Sequence, residues 1–223
     1  MQHSLELDSV LKTFGSFQLL TDVYLRINTN DVIGLFGRNG TGKTVLLNIL
    51  FGTMKADRKF IRLNEAKVLD KTFKKESLIS YLPQHHFLPK HLNIEKITSV
   101  FLSKEKKEAF FHNDDIANIN RKRQFIELSS GERKYLEIKL LLFKESKFLL
   151  LDEPFNFLSP LIIKQVTELI KEHAANKGII IADHNYKHVL NVANRIMIIK
   201  EGVLKELTDK QGLVEQGYLK EYI

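Results

Sequence analysis

Eight consecutive residues carry the plainest chemistry in this sequence: Gly37, Arg38, Asn39, Gly40, Thr41, Gly42, Lys43 and Thr44. They fit the pattern G-x-x-x-x-G-K-[ST] in full. Glycines at this spacing let the backbone curl so that successive N–H groups point inward at phosphate oxygens. A helix starting near Lys43 aims the positive end of its dipole at the same point. Lys43 then supplies a point charge to the outer phosphates, and Thr44 offers a hydroxyl to Mg²⁺. The motif specifies binding of nucleotide phosphates and leaves the reaction open.

A second cluster narrows the reaction. The apolar run Phe148 to Leu151 ends in two carboxylates, Asp152 and Glu153, followed by Pro154. At the end of a strand beside a phosphate loop, Asp152 can hold Mg²⁺ through its water shell. The next residue points the other way, so Glu153 can orient and deprotonate an attacking water. Lys43, Thr44, Asp152 and Glu153 together form a hydrolytic set.

These residues need elements that place them. Leu5, Leu7 and Val10 alternate in strand fashion, as do Val23, Leu25 and Ile27. Asp31 to Phe36 reads as a buried strand entering the Gly-rich turn, and the apolar stretch Thr44 to Leu50 continues it as a helix. Phe60 to Leu63 and Ser77 to Leu82 read as further strands. Beyond Pro83 the pattern is helical and polar until about Glu127. A helix from about Ser130, a strand Lys147 to Leu151, a helix Pro160 to Ala175 and strands Gly178 to Ala182 and Arg195 to Lys200 follow. Glu201-Gly202 turns the chain into Val203 to Leu207. Alternating strands and helices predict an α/β fold, with a mostly parallel sheet and an inserted helical segment.

Composition excludes several classes. The 223 residues are 43% hydrophobic and 27% charged, an ordinary globular balance. Without cysteine there is neither a disulfide framework nor a thiolate metal site. The start, MQHSLELDSV, has no signal-peptide pattern. No apolar run approaches the roughly 20 residues a membrane helix needs. The net charge of +7 permits attraction to an anionic leaflet, nucleic acid or a nucleotide. Lys74-Lys75, Lys104 to Lys107 and Arg121 to Arg123 read as solvated faces, because acidic residues interleave with most of them.

Ahead of the acidic strand stands Leu128-Ser129-Ser130-Gly131-Glu132. It resembles the LSGGQ signature of ABC ATPases, and with the two motifs above the chain is identified as similar to the nucleotide-binding subunit of an ABC transporter. The resemblance covers essentially all of residues 1–223, as one ATPase domain. It implies a P-loop NTPase core, an N-terminal antiparallel β subdomain, and a helical subdomain from about 84–127 plus a signature helix from about 129–144. Gln84 looks like the Q-loop glutamine, near Mg²⁺ and the reacting water. His184, delivered by the strand ending at Ala182, looks like the switch histidine; seven other histidines, among them His85 and His86, are not so placed. Phe14 resembles the aromatic that stacks on adenine, with a core role and the nearby Phe17 as alternatives.

The resemblance further implies ATP and Mg²⁺ as ligands. It implies a head-to-tail homodimer or paired ABC subunit on ATP binding, in which Ser129, Ser130, Gly131 and Glu132 meet the γ-phosphate bound to the facing subunit. A separate transmembrane permease is the implied partner, with the chain peripheral on the cytoplasmic face and no direct nucleic-acid binding. Ser129 and Glu132 form a capping-box pattern that starts a helix. Three positions depart from the family: Ser130 for Gly, Glu132 for Gln and Ser159 for Asp. The alternatives are a soluble ABC ATPase acting on ribosomes, nucleic acid or cluster assembly, and a nucleotide-binding module of low turnover. Two joined domains or long coiled coils, usual in the soluble classes, are absent from this sequence.

Overall fold

The computed structural model describes residues 2–67 and 78–220. Ser77 and the Lys74-Lys75 pair lie outside them. Two sheets are present among the described residues. The first has the order β2-β1-β4-β5, from β1 (Ser4–Phe14), β2 (Phe17–Asn28), β4 (Arg58–Leu63) and β5 (Ala66–Lys67), all paired antiparallel. The second has the order β10-β9-β3-β8-β7-β6, from β3 (Val32–Phe36), β6 (Ile79–Leu82), β7 (Phe148–Asp152), β8 (Gly178–Ala182), β9 (Arg195–Lys200) and β10 (Val203–Leu207). Its strands pair parallel except for the β9–β10 hairpin.

Burial explains the difference between the sheets. β3, β7 and β8 are buried at every residue, as strands with both faces covered must be. Their odd and even residues serve two different cores. Ile33, Leu35, Phe148 and Leu150 pack with Leu5, Leu7, Leu25 and Ile27 of the antiparallel sheet. Between them lies α1 (Lys43–Phe51), whose Leu46, Leu47, Ile49 and Leu50 fill the same core. Val32, Phe36, Leu149 and Leu151 face the other way, onto α5 (Ser130–Phe143), α6 (Pro160–Ala174) and α7 (Tyr186–Val192).

The stretch after β6 is helical: α2 (Ile94–Phe101), α3 (Lys104–Phe111), α4 (Asp115–Asn120) and a short 3₁₀ turn at Phe125–Glu127. Each helix starts on a side-chain cap, with Asn93, Ser103 and Asp114 accepting from Lys96, Lys106 and Ala117 backbone N–H groups. The chain closes on α8 (Gln211–Glu215).

Several expected bounds shift: β4 starts at Arg58 rather than Phe60, β7 spans Phe148–Asp152 rather than Lys147 to Leu151, α6 ends at Ala174 rather than Ala175, and the strand before the phosphate loop starts one residue late. The strand begins at Val32 rather than Asp31, because the Asp31 carboxylate accepts from Asn28 N at 2.7 Å and turns the chain. The pattern also gave no sign of β5, α7 or α8. In α7 only Val189 and Val192 are buried, too few apolar positions to establish a helical period.

Candidate functional site

The phosphate loop lies between β3 and α1. Gly37 has φ +151, and a Cβ there would meet Thr41 Oγ1 at 2.6 Å and Ile199 O at 2.8 Å. Gly42 takes the left-handed conformation, φ 105, immediately before α1. Both positions demand glycine. Lys43 is buried, and its ammonium folds back over the loop to donate to Gly37 O at 2.6 Å and Arg38 O at 3.2 Å. Burial lowers its pKa, against the opposing pull of Asp152, Glu153 and Asp183.

Four separate stretches converge on this loop. A cleft of about 470 Å³ is lined by Asn39, Gly40, Gly42, Lys43, Thr44, Gln84, Asp152, Glu153 and His184, with Leu19 and Val45. Thr44 Oγ1 donates to Asp152 Oδ1 at 3.3 Å. Gln84 Nε2 donates to Thr44 Oγ1 at 3.1 Å, to Glu153 Oε1 at 3.4 Å and to Asp152 Oδ1 at 3.5 Å. His184 Nε2 lies 3.1 Å from Glu153 Oε1.

The two carboxylates are placed by different means. Asp152 is the last residue of β7 and is 1% exposed. Burial raises its pKa, against hydrogen bonds from Thr44, Tyr81 and Gln84. Glu153 lies beyond the strand with φ +52, and its N–H donates to Ala182 O at 2.7 Å. A left-handed residue rather than strand alternation therefore turns its carboxylate into the cleft. A non-glycine residue in that region costs energy and persists where its surroundings hold it.

Those surroundings were not legible in the sequence. Asn156 Nδ2 donates to Glu153 Oε2 at 2.5 Å. Asp183, 1% exposed, accepts from Phe155 N at 2.8 Å and Asn185 N at 2.7 Å, tying the loops that carry Glu153 and His184. Tyr81 OH donates to Asp152 Oδ2 at 3.1 Å. Burial, with the neighbouring Asp152 charge, pushes the Tyr81 phenol up, so it stays a donor. Gln84 is held from behind by α5, where Lys134 Nζ donates to Gln84 O at 3.1 Å and Glu137 accepts from Phe87 N at 2.8 Å. Lys134 and Glu137 are both buried within α5.

The remaining expected residues lie elsewhere. Arg38 turns away from the cleft and donates to Gly217 O at 3.2 Å, and Thr41 Oγ1 caps the loop by donating to Arg38 O at 2.9 Å. Phe14 sits at the hairpin end of β1, paired with Phe17, and is 46% exposed; it does not line the cleft. Ser129, Ser130, Gly131 and Glu132 form the start of α5, also outside the cleft. A larger hollow of about 730 Å³ lies among α3, α5 and α6. Its buried Asp114 already accepts from Tyr135 and Lys139.

A family model described as "ABC transporter" matches residues 20–156, more than half of the chain. A probable ABC transporter ATP-binding protein of Azorhizobium caulinodans is 30% identical, over 95% of this chain and 79% of that protein. The sulfate/thiosulfate import ATP-binding protein CysA of Bacillus cereus is 29% identical over 95% of this chain, which spans 63% of that relative's length. Among solved structures, one titled as the ATP-binding subunit of an ABC transporter superposes with a TM-score of 0.82 at 21% identity, covering 96% of this chain and 93% of the other. The phosphate loop, the strand-end acids and these matches agree, and the chain belongs to the ABC transporter family, among its ATP-binding subunits.

Proposed function

We propose that this chain hydrolyses ATP at the cleft between α1, β7 and Gln84, and that the hydrolysis drives transport through a separate transmembrane permease. The observation that carries this reading is the convergence on Glu153: Gln84 Nε2 at 3.4 Å and His184 Nε2 at 3.1 Å from one oxygen, Asn156 Nδ2 at 2.5 Å from the other. A carboxylate held so, beside a phosphate loop, suits a general base for water.

The donor set fits the expected ligands. The positive φ of Gly37, Gly40 and Gly42 lets the loop curl as a phosphate cradle must, and the hard oxygens of Thr44 and Asp152 lie 3.3 Å apart. These two, with Gln84 close by, would hold Mg²⁺, which neutralises phosphate charge when bound. Lys43 moves from its own loop carbonyls to the outer phosphates. Glu153 takes the proton of the attacking water, and His184 steadies that water and the γ-phosphate. Phe14, half exposed, is the platform for adenine.

The site is completed by a second subunit. Ser129 and Ser130 are exposed at the N-terminus of a 14-residue helix, a natural anion site. Phe157 and Leu161 nearby are 79% and 67% exposed, and a facing subunit would cover them. Residues 1–223 act as one ATPase unit in which the helical segment, with Val100 75% and Ile119 72% exposed, receives the permease at the inner membrane face.

Replacing Glu153 by Gln tests the reading. Turnover should fall by about 10²–10⁴-fold, while ATP still binds and a dimer accumulates on gel filtration with ATP and Mg²⁺. An E153Q protein with wild-type turnover would remove Glu153 from the reaction.

A further inference from the structure

Glu132 places a carboxylate in the first turn of the helix whose N-terminus receives phosphate in the reading above. A free negative charge there repels the ligand. The structure engages that charge fully. Oε2 accepts from Ser129 N at 2.8 Å and from Ser129 Oγ at 2.7 Å. Oε1 accepts from Asn120 Nδ2 at 3.0 Å.

Asn120, the last residue of α4, has no exposed surface. Its amide nitrogen also donates to Ile116 O at 2.9 Å, and its carbonyl accepts from the Arg123 guanidinium at 2.9 Å. Arg123 donates in turn to Glu127 O at 2.5 Å. Each side of the Asn120 amide is therefore committed, and its orientation is set by two neighbours of opposite demand. The Arg123 stretch is itself paired to the start of α2, through Ile94 N to Arg123 O at 3.3 Å and Glu95 N to Arg121 O at 3.0 Å. Hydrogen bonds thus run from α2 through Arg123 and Asn120 to Glu132 and Ser129.

Burial pushes the Glu132 carboxyl up, but the hydrogen bonds from Asn120 and Ser129, with Arg123 near, outweigh it and hold the group below its ordinary value. It stays ionised and stays in the cap.

We propose that Asn120 is a positioning residue for subunit closure: it holds the Glu132 carboxylate against Ser129 and so keeps that charge off the first-turn N–H groups of Ser130 and Gly131, which meet the facing subunit's phosphate. The proposal rests on the assignment of Ser129 to Gly131 to the facing subunit's ATP. Asn120 has no exposed surface and lies outside the cleft, so its loss acts on closure and leaves binding to the monomer alone.

The test uses the full chain with Glu153→Gln, which separates closure from turnover. Asn120→Asp sets two carboxylates against each other where a donor stood. In E153Q/N120D the dimer formed with ATP and Mg²⁺, followed by sedimentation, should weaken by about tenfold or more. A fluorescent ATP analogue should bind the monomer as before. Adding Glu132→Gln restores an amide-to-carboxylate hydrogen bond, and closure should return to within about threefold of the parent. A purely structural lesion would not be rescued by that change. Unaltered closure in N120D, a parallel fall in monomer affinity, or no rescue by E132Q would each overturn the proposal. If N120D does not fold, the exposed Arg123→Gln carries the test: closure weakened severalfold supports the relay, and unchanged closure overturns it. An E153Q parent that stays monomeric at saturating ATP defeats the two-subunit reading itself, a different failure from a parent that closes equally well with and without Asn120.

Discussion

At the scale of single residues, the site depends on groups that hold the reacting ones. Tyr81 supplies one of the three hydrogen bonds on the Asp152 carboxylate, alone on Oδ2. Removing its hydroxyl in Tyr81→Phe frees that oxygen without changing the charge. We expect the Mg²⁺ concentration for half-maximal ATPase activity to rise by about tenfold, as for other outer-sphere partners of metal-holding groups. Mg²⁺ titrations of the ATPase activity at fixed ATP would check it. Lys43, Thr44, Asp152 and Glu153 were legible because their chemistry is written in local spacing. Tyr81, Asn156, Asp183 and Lys134 were not, since a tyrosine at the end of a strand or a lysine in a helix acquires its partner only through the fold. The left-handed backbone at Glu153 was invisible for the same reason: its conformation is imposed by the Ala182 carbonyl, 29 positions on.

At the scale of elements, buried charge ties the helices to the sheet. Lys177, in the turn between α6 and β8, donates to Lys144 O at 2.6 Å and Ser146 O at 2.5 Å, joining that turn to the end of α5. Burial, helped by the nearby Lys106, lowers its pKa from 10.5 to about 8. Between those two values the unfolded chain holds a proton that the folded one lacks, so stability rises with pH across this window. Below about pH 8 the burial penalty is fully felt. Denaturation of the wild type and Lys177→Met should therefore show the wild type gaining on the variant from about pH 8 toward 10.5. A constant difference would mean that Lys177 titrates normally. The central strands β3, β7 and β8 of the second sheet were readable because each is essentially an apolar run. The caps of α2, α3 and α4 lie in a polar stretch where charge masks periodicity, so that stretch was readable as helical without its boundaries.

At the scale of the whole molecule, the two cores divide the work. The core between the sheets fixes α1 and the phosphate loop. The other, under α5 and α6, packs against Leu149 and Leu151 ahead of the acidic strand end, while Lys134 and Glu137 of α5 hold the backbone at Gln84 and Phe87. Both faces of the parallel sheet are thus committed to the cleft beyond the C-terminal ends of β3, β7 and β8. The alternation of strands and helices made this layering legible, whereas the division of the helical segment into three short helices followed from caps. Arg121 and Arg123 engage Glu95 at 2.7 Å and Asn120 at 2.9 Å, which favours a protein partner over nucleic acid for this segment. Among the described residues no helix is long and apolar enough to cross a membrane. The proposed coupling to transport rests on a transmembrane permease, and finding that partner tests the account most directly. The E153Q protein would be tagged in its native cells and extracted in mild detergent with ATP and Mg²⁺, and the proteins that accompany it identified. The account predicts a polytopic membrane protein in near-equal amount; ribosomes, nucleic acid or soluble assembly proteins with no membrane subunit would contradict it.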